Sequence, residues 1–292
     1  MNSRSGLAAI LLAYAVWGLF PVYWRALSGI DATELLALRL VLTALSCLPL
    51  LPLRRSWPDF RAAWGRPAVL RRCLLAALLL ATNWFAFIWA VNNNRVMESS
   101  LGYFLCPLFS VVLGRFLERE PLSPVRWTAV ALAAAGVGVI VAQAGTVPVA
   151  ALVIALTWGG YGLMKKRSPL GPVTGLALES ALLTPPAILL LLGMAARAPL
   201  TLTEATPPVL LVLAFAGAVT ALPLIWFAYG AQRVPLSTLG MGQYLVPSAH
   251  FGLAILYGEP VNRAILAGFA LIWLGLALYS GNALTRRAAL PK

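Results

Sequence analysis

Two side chains stand where an apolar surrounding tolerates charge only for a reason: Arg39 and Glu179 interrupt long stretches of aliphatic and aromatic residues. A charge at the centre of a membrane helix costs about 2.5–3.5 kcal/mol on insertion scales, which makes both candidates for handling a charged solute or a coupling ion. Glu179 can take and release a proton or hold a cation; its structural alternative is a carboxylate tied to a hydroxyl or to a basic residue such as Lys166. Arg39 can meet an anionic solute, or it can snorkel to the interface and meet Glu34 or Asp31. His250 is the single histidine, deep in an apolar run, where a satisfied structural imidazole competes with a proton relay.

Neutral polar groups form a second set. Asn83, Asn92, Gln243 and Tyr244 suit a solute without adding charge; as helix-to-helix ties each would contribute only about 0.6 kcal/mol. Trp17, Trp84, Tyr103, Trp158 and Tyr161, with Trp89 and Trp226, can wall a cavity for an aromatic or amphipathic solute, although some must belong to the interfacial belt. Glu98 opens a helix, where it complements the helix dipole, and with Arg95 and Asn92–Asn94 it could form a polar vestibule. Glu120 and Glu259 each precede a proline and read as dipole partners at the starts of helices 5 and 10.

Other chemistries lack their residues. There is no HExxH, no pair of intramembrane aspartates and no serine at workable spacing from the histidine, so catalysis is not expected. No GxxxxGK[ST] exists for ATP-driven work, and no cofactor motif is present. Cys47, Cys73 and Cys106 are scattered without CxxC or a histidine partner, which argues against a metal site or a disulfide framework. The net charge of +13 suggests polyanions, yet no basic tract lies beside an aromatic platform, so nucleic acid is not an expected partner. An intramembrane enzyme or a sensor without transport activity stands as the alternative. The sensor would need a signalling domain, and the longest loop is only Arg54–Arg71.

The elements that must position these residues follow from composition. The chain is 61% apolar and 11% charged, against about 45–50% and about 25% in soluble domains. Charge-free runs such as Ser5–Trp24, Cys73–Asn94, Ala205–Gln232 and Val234–Tyr257 approach or exceed the roughly 20 residues that span a bilayer. Trp127–Met164 is long enough for two passes, with a turn at Gln143–Pro148. The expected spans are 6–26, 34–53, 72–92, 98–117, 124–143, 147–165, 172–194, 207–230, 236–257 and 262–283. The first is read as an uncleaved helix, because it runs past Trp17 and Pro21 to Trp24. With the N-terminus cytoplasmic, 17 of the 22 basic residues fall on the cytoplasmic side and four outside, and Arg39 lies within a span. Both termini are then cytoplasmic, in a chain that crosses the membrane many times.

The two halves also match each other. Trp17-Gly18 aligns with Trp158-Gly159, Arg95-Val96 and Ser99 with Arg233-Val234 and Ser237, Pro107 with Pro247, and Glu120-Pro121 with Glu259-Pro260, all at offsets of 138 to 141. Five helices per copy is an odd number, so the second copy enters the membrane inverted. The fold class expected is an all-α membrane protein of ten transmembrane helices in two inverted five-helix repeats, 1–143 and 147–283, with a short cytoplasmic tail at 284–292. Inverted repeats of this kind typically enclose a midplane site and expose it alternately. Here helices 1, 3 and 4 would line it with 6, 8 and 9. On this alignment Arg39 and Glu179 are pseudo-equivalent but sit about 12 Å apart along the membrane normal at 1.5 Å per residue, so separate partners are expected. The glycines after Trp17 and Trp158 would loosen helices 1 and 6, and Ala131/Ala135 and Ala134/Gly138 form small-residue seams on helix 5 for internal packing or a homodimer.

Four stretches resemble a known family: Trp17–Trp24 (WGLFPVYW), Asn83–Asn92 (NWFAFIWAVN), Glu98–Phe104 (ESSLGYF) and Ser237–Tyr244 (STLGMGQY). They are similar to RarD proteins of the EamA family in the drug/metabolite transporter (DMT) superfamily. The resemblance implies an inner-membrane permease of two EamA repeats that moves a small organic metabolite or drug-like solute, with proton coupling open. One departure is Asn92-Asn93-Asn94, where the resemblance leads us to expect a single asparagine.

Overall fold

The computed structural model describes residues 3–93, 95–143, 149–257 and 263–288, and within these the side chains of 91, 92, 96–99 and 282–288 fall outside the description. The described residues form helices joined by short turns and loops, with no strand among them. In chain order the first half comprises α1 (Ser3–Gly18), α2 (Phe20–Arg25), α3 (Ala32–Cys47), α4 (Leu50–Leu53), α5 (Trp57–Trp64), α6 (Pro67–Asn92), α7 (Val96–Phe116) and α8 (Pro124–Ala142). The second comprises α9 (Val149–Lys166), α10 (Pro172–Ala195), a 3₁₀ turn (Thr201–Glu204), α11 (Pro207–Ala214), α12 (Ala216–Ala231), α13 (Leu236–Gln243), α14 (Leu245–Leu256) and α15 (Arg263–Ala288). Beyond residue 143, the turn expected at Gln143–Pro148 lies outside the described residues.

Seven segments are long and apolar enough to cross a membrane: Ser3–Arg25, Ala32–Leu53, Pro67–Ala90, Pro124–Ala142, Pro172–Ala195, Pro207–Ala231 and Arg263–Gly281, with Ser100–Phe116 a shorter apolar helix. Their outer surfaces carry exposed Leu12, Leu45, Phe85, Leu189 and Leu211, as a lipid-facing surface requires. Two elements escaped the sequence reading. Helix α5 lies in the Arg54–Arg71 loop and stacks Trp57 on Phe60 at 5.7 Å, and the short 3₁₀ turn caps the approach to α11.

Prolines set the breaks. Pro21 has no N–H to give the carbonyl of Trp17, and the first rod divides at Leu19 into α1 and α2. Pro247 likewise cannot serve Gln243, and the chain divides at Tyr244 into α13 and α14. Gly159 and Gly160, expected to loosen helix 6, leave α9 unbroken. A Cβ at Gly159 would lie 3.3 Å from Leu113 and one at Gly160 3.3 Å from Leu79, so these glycines admit α7 and α6 instead.

The helices interleave across the halves. The most extensive pairings, α8 with α15, α7 with α9, α6 with α9, α7 with α13, α1 with α12 and α3 with both α10 and α12, each join a helix before residue 143 to one after 149. One close seam lies between α8 and α15, where a Cβ added at Gly136 would stand 2.5 Å from the Gly268 carbonyl oxygen. It uses Ala129, Ala133 and Gly136, all buried. The small-residue pairs Ala131/Ala135 and Ala134/Gly138, read as seams for internal packing or a homodimer, face outward and take no part in this internal seam.

Candidate solute site

Five aromatic rings from both halves meet at the centre. Trp17 packs edge-on to Trp158 at 5.2 Å, Phe227 lies 5.2 Å from Trp158 and 5.6 Å from Trp17, and Tyr161 stacks on Phe227 at 6.0 Å. Tyr14 joins Trp17 at 5.9 Å and donates its hydroxyl to the Leu239 carbonyl at 2.7 Å. Trp17, Trp158 and Tyr161 were expected here. Phe227 and Tyr14 were not, since an aromatic inside a charge-free run carries no mark separating core from lipid.

Polar groups brace this cluster. Trp158 Nε1 donates to Gln243 Oε1 at 3.0 Å. Asn83 Nδ2 donates to the Ile154 carbonyl at 2.9 Å and to Thr157 Oγ1 at 3.1 Å, tying α6 to α9. Asn83 Oδ1 and the Tyr244 hydroxyl are buried without a hydrogen-bond partner among the described residues. The His250 ring nitrogen Nε2 lies 3.2 Å from the Trp17 carbonyl oxygen, the acceptor that Pro21 leaves without its helical donor. As a donor there it completes the broken helix. The side chains of Asn92 and Glu98 lie outside the described residues.

The two intramembrane charges take different partners: Glu179 is tied to a hydroxyl and a basic residue, as its structural reading had it, with Lys165 in place of Lys166, whereas Arg39 meets neither carboxylate considered for it. Lys165 Nζ donates to both carboxylate oxygens of Glu179 at 2.7 Å, and the Tyr161 hydroxyl donates to Oε2 at 3.3 Å. Lys165 and Glu179 are 2% and 3% exposed, so this pair is sealed. Lys166, the neighbour first considered for Glu179, instead donates to the Val234 carbonyl at 2.7 Å. Lys165 therefore leaves the set of solvent-side basic residues: α9 runs on to Lys166 and carries it into the core. Arg39 meets neither Asp31 nor Glu34. Asp31 caps α3 by accepting from the Thr33 and Glu34 amides at 2.9 and 3.0 Å, and Glu34 accepts from the Thr201 and Leu202 amides at 2.8 and 2.9 Å.

Arg39 is held between indoles. Its guanidinium carbon stands 4.3 Å from the Trp24 ring centre and 4.5 Å from that of Trp84, and Nε donates to Thr220 Oγ1 at 3.4 Å. Such contacts stabilise a cation by about 0.5–2 kcal/mol each, offsetting part of the insertion cost. No carboxylate lies within ion-pair distance of it among the described residues. Trp84 and Tyr103 also pack against the central cluster, and they, Trp17 and Arg39 are half-buried rather than sealed.

The arginine-rich end is clasped. Arg167 Nε donates to Glu118 Oε1 at 2.6 Å and Nη2 to the Leu117 carbonyl at 2.9 Å. Glu120 does not serve its own helix, whose N-cap is Ser123. It reaches the start of α13, accepting from the Ser237 amide and hydroxyl at 2.9 and 2.7 Å and from the Leu236 amide. The carboxylate still complements a helix N-terminus, but that of a helix in the other half. Glu259 lies outside the described residues. A cleft of about 460 Å³ beside this clasp is lined by Glu118, Glu120, Lys166 and Gln232–Pro235, and a second of about 400 Å³ by Arg54, Gly171–Thr174 and Trp226. Trp89 points outward and lies 5.2 Å under Arg95.

The EamA-like transporter family matches residues 4–142. An uncharacterized transporter of Pseudomonas aeruginosa is 42% identical over 100% of this chain and 98% of its own, and the protein RarD of Streptomyces exfoliatus is 40% identical over 97% and 90%. A solved crystal structure with 21% identity superposes with a TM-score of 0.71 over 98% of this chain and 99% of its own, a likeness of fold alone. Relatives this similar over nearly the whole length decide the assignment: the chain is a multi-pass membrane transporter of the EamA family in the drug/metabolite transporter superfamily, in its RarD group.

Proposed function

We propose that this protein is an inner-membrane secondary transporter that moves a small organic solute by alternating access, through ten membrane crossings arranged as two inverted five-helix repeats, with both termini cytoplasmic. The observation that carries the reading is the central aromatic cluster built from both halves, which the Glu118–Arg167 and Glu120–Ser237 contacts also join at the arginine-rich end, with Arg39, Trp17 and Trp84 half-buried beside it. The positive-inside bias makes that clasped end cytoplasmic. Because the halves share nearly all their largest interfaces, they cannot simply part. The motion is better placed at the broken rods α1–α2 and α13–α14, whose proline breaks supply hinges.

Purified protein in liposomes, challenged with metabolites and drugs under imposed solute and pH gradients, tests this. Saturable, protein-dependent flux that rises or falls when the clasp is altered by Arg167→Glu supports it. Absence of flux for every solute that measurably binds the protein overturns it, and a reporter fused at Lys292 that reads outside overturns the topology.

A further inference from the structure

We infer that the transported solute is an organic monoanion, its carboxylate taken edge-on by Arg39 and its apolar body resting against Trp17, Trp84 and Tyr103. This rests on the transporter reading above and adds the substrate class to it.

Charge balance is the first ground. Among the described residues the buried charges are Glu34, taken up by the Thr201 and Leu202 amides and the Thr201 hydroxyl, and Lys165 and Glu179, which neutralise each other, while the half-buried Arg39 has no carboxylate within ion-pair distance. Arg39 is left with a single uncompensated positive charge, which one carboxylate would neutralise and a dianionic phosphate monoester would overshoot. Geometry is the second. Trp24 and Trp84 occupy the approaches to the guanidinium face at 4.3 and 4.5 Å, and Thr220 engages Nε at 3.4 Å. What remains is the Nη edge, which has no hydrogen-bond partner among the described residues and is not sealed from solvent. A planar edge of paired N–H donors matches a carboxylate in two parallel hydrogen bonds, a fit that neither a neutral amide nor an amine reproduces. The third is continuity: Trp84 contacts Arg39 on one side and packs with Trp17 and Tyr103 against the central cluster on the other, so an anion held at the edge has an aromatic wall beside it.

The test uses full-length protein in detergent and three probes of one shape, phenylacetate, phenylacetamide and phenethylamine, titrated by tryptophan fluorescence. Phenylacetate is expected to bind saturably and at least about tenfold more tightly than the other two, since hydrogen bonds to a charged group outweigh neutral ones. Arg39→Gln should remove that preference, and Arg39→Lys, which keeps the charge without the fork, should retain only part of it. Equal binding of acid and amide by the unaltered protein, or no binding of the acid at millimolar concentration, overturns the inference, and neither reading depends on a variant that folds. So does an Arg39→Gln variant of native elution profile that binds phenylacetate unchanged. Flux in liposomes separates the two claims. Charge-selective binding without flux sinks the transporter and keeps the anion, whereas flux of neutral or cationic solutes indifferent to Arg39→Gln does the reverse.

Discussion

The sealed Lys165–Glu179 pair yields the sharpest test of what the second half's charge does. Removing one partner strands the other in the core: with side chains 2% and 3% exposed, no water replaces the two 2.7 Å hydrogen bonds. Lys165→Met or Glu179→Leu alone should therefore cost about 3–5 kcal/mol, the range for uncompensated buried charges, while the double replacement fills the same space with apolar atoms and should lie near the unaltered protein. At roughly 2–4 °C per kcal/mol, each single variant should lose about 6–20 °C of thermal stability, read as loss of monodisperse protein after heating in detergent. The double variant should recover most of it. The same three proteins in liposomes separate a structural carboxylate from a coupling one. If Glu179 only balances Lys165, the double variant regains transport together with stability. If Glu179 carries the coupling proton, the double variant is stable and its flux ignores an imposed pH gradient. Single variants as stable as the parent, or losses that merely add in the double, would refute the argument that the pair is tightly coupled.

Three further perturbations bear on other parts of the frame. Glu120→Gln should cost about 1.5–3 kcal/mol, because a charged acceptor of two amides and a hydroxyl is lost from the α13 start, whereas Glu118→Arg at the half-exposed clasp should cost only about 0.2–1 kcal/mol and be reversed by adding Arg167→Glu; thermal melts of the four proteins decide. His250→Ala should cost about 1–3 kcal/mol in the native chain by orphaning the Trp17 carbonyl, and clearly less after Pro21→Ala, which restores that carbonyl's helical donor; equal costs in both backgrounds would show that the contact is incidental. Gly136→Val should cost about 1–3 kcal/mol or more by forcing α8 from α15, while Gly138→Val, with nothing within 4 Å, should leave the melting temperature in place.

What could be read from the residues was the set of apolar runs and the odd charges within them, because hydrocarbon punishes charge regardless of fold. What could not was the rotation of each helix. Segment Pro124–Ala142 is apolar all round, so no polar face shows which stripe packs inward: Ala129, Ala133 and Gly136 form the internal seam, while Ala131, Ala134, Ala135 and Gly138 face outward. Lys165 escaped for a related reason: followed directly by Lys166 and Arg167 it looks like the basic end of a span, and only the continuation of α9 turns it inward. Thr220 and Phe227 were silent because a hydroxyl or a ring in an apolar run fits lipid, core or site equally well. The interleaving of the halves was illegible too, since repeat spacing fixes which segments are equivalent and says nothing of which ones touch.

The proposed repeat nevertheless explains why the two intramembrane charges ended so differently. At the offset of 141 that relates Trp158 to Trp17, Lys165 corresponds to Trp24. Each of the two residues meets the odd charge of its own repeat: Lys165 is 2.7 Å from Glu179, and the Trp24 ring centre is 4.3 Å from Arg39. One station thus carries a counter-charge in one copy and a ring in the other, so the second half is neutralised internally while the first keeps its cation open to a solute. Trp24→Glu should convert the first into a likeness of the second. A carboxylate there would pair with Arg39, keep or raise thermal stability and lower phenylacetate affinity at least about tenfold, since the Nη edge would be taken by the chain itself. Undiminished phenylacetate binding by a folded Trp24→Glu protein would mean that Arg39 does not hold the anion, and the asymmetry between the repeats would need another cause.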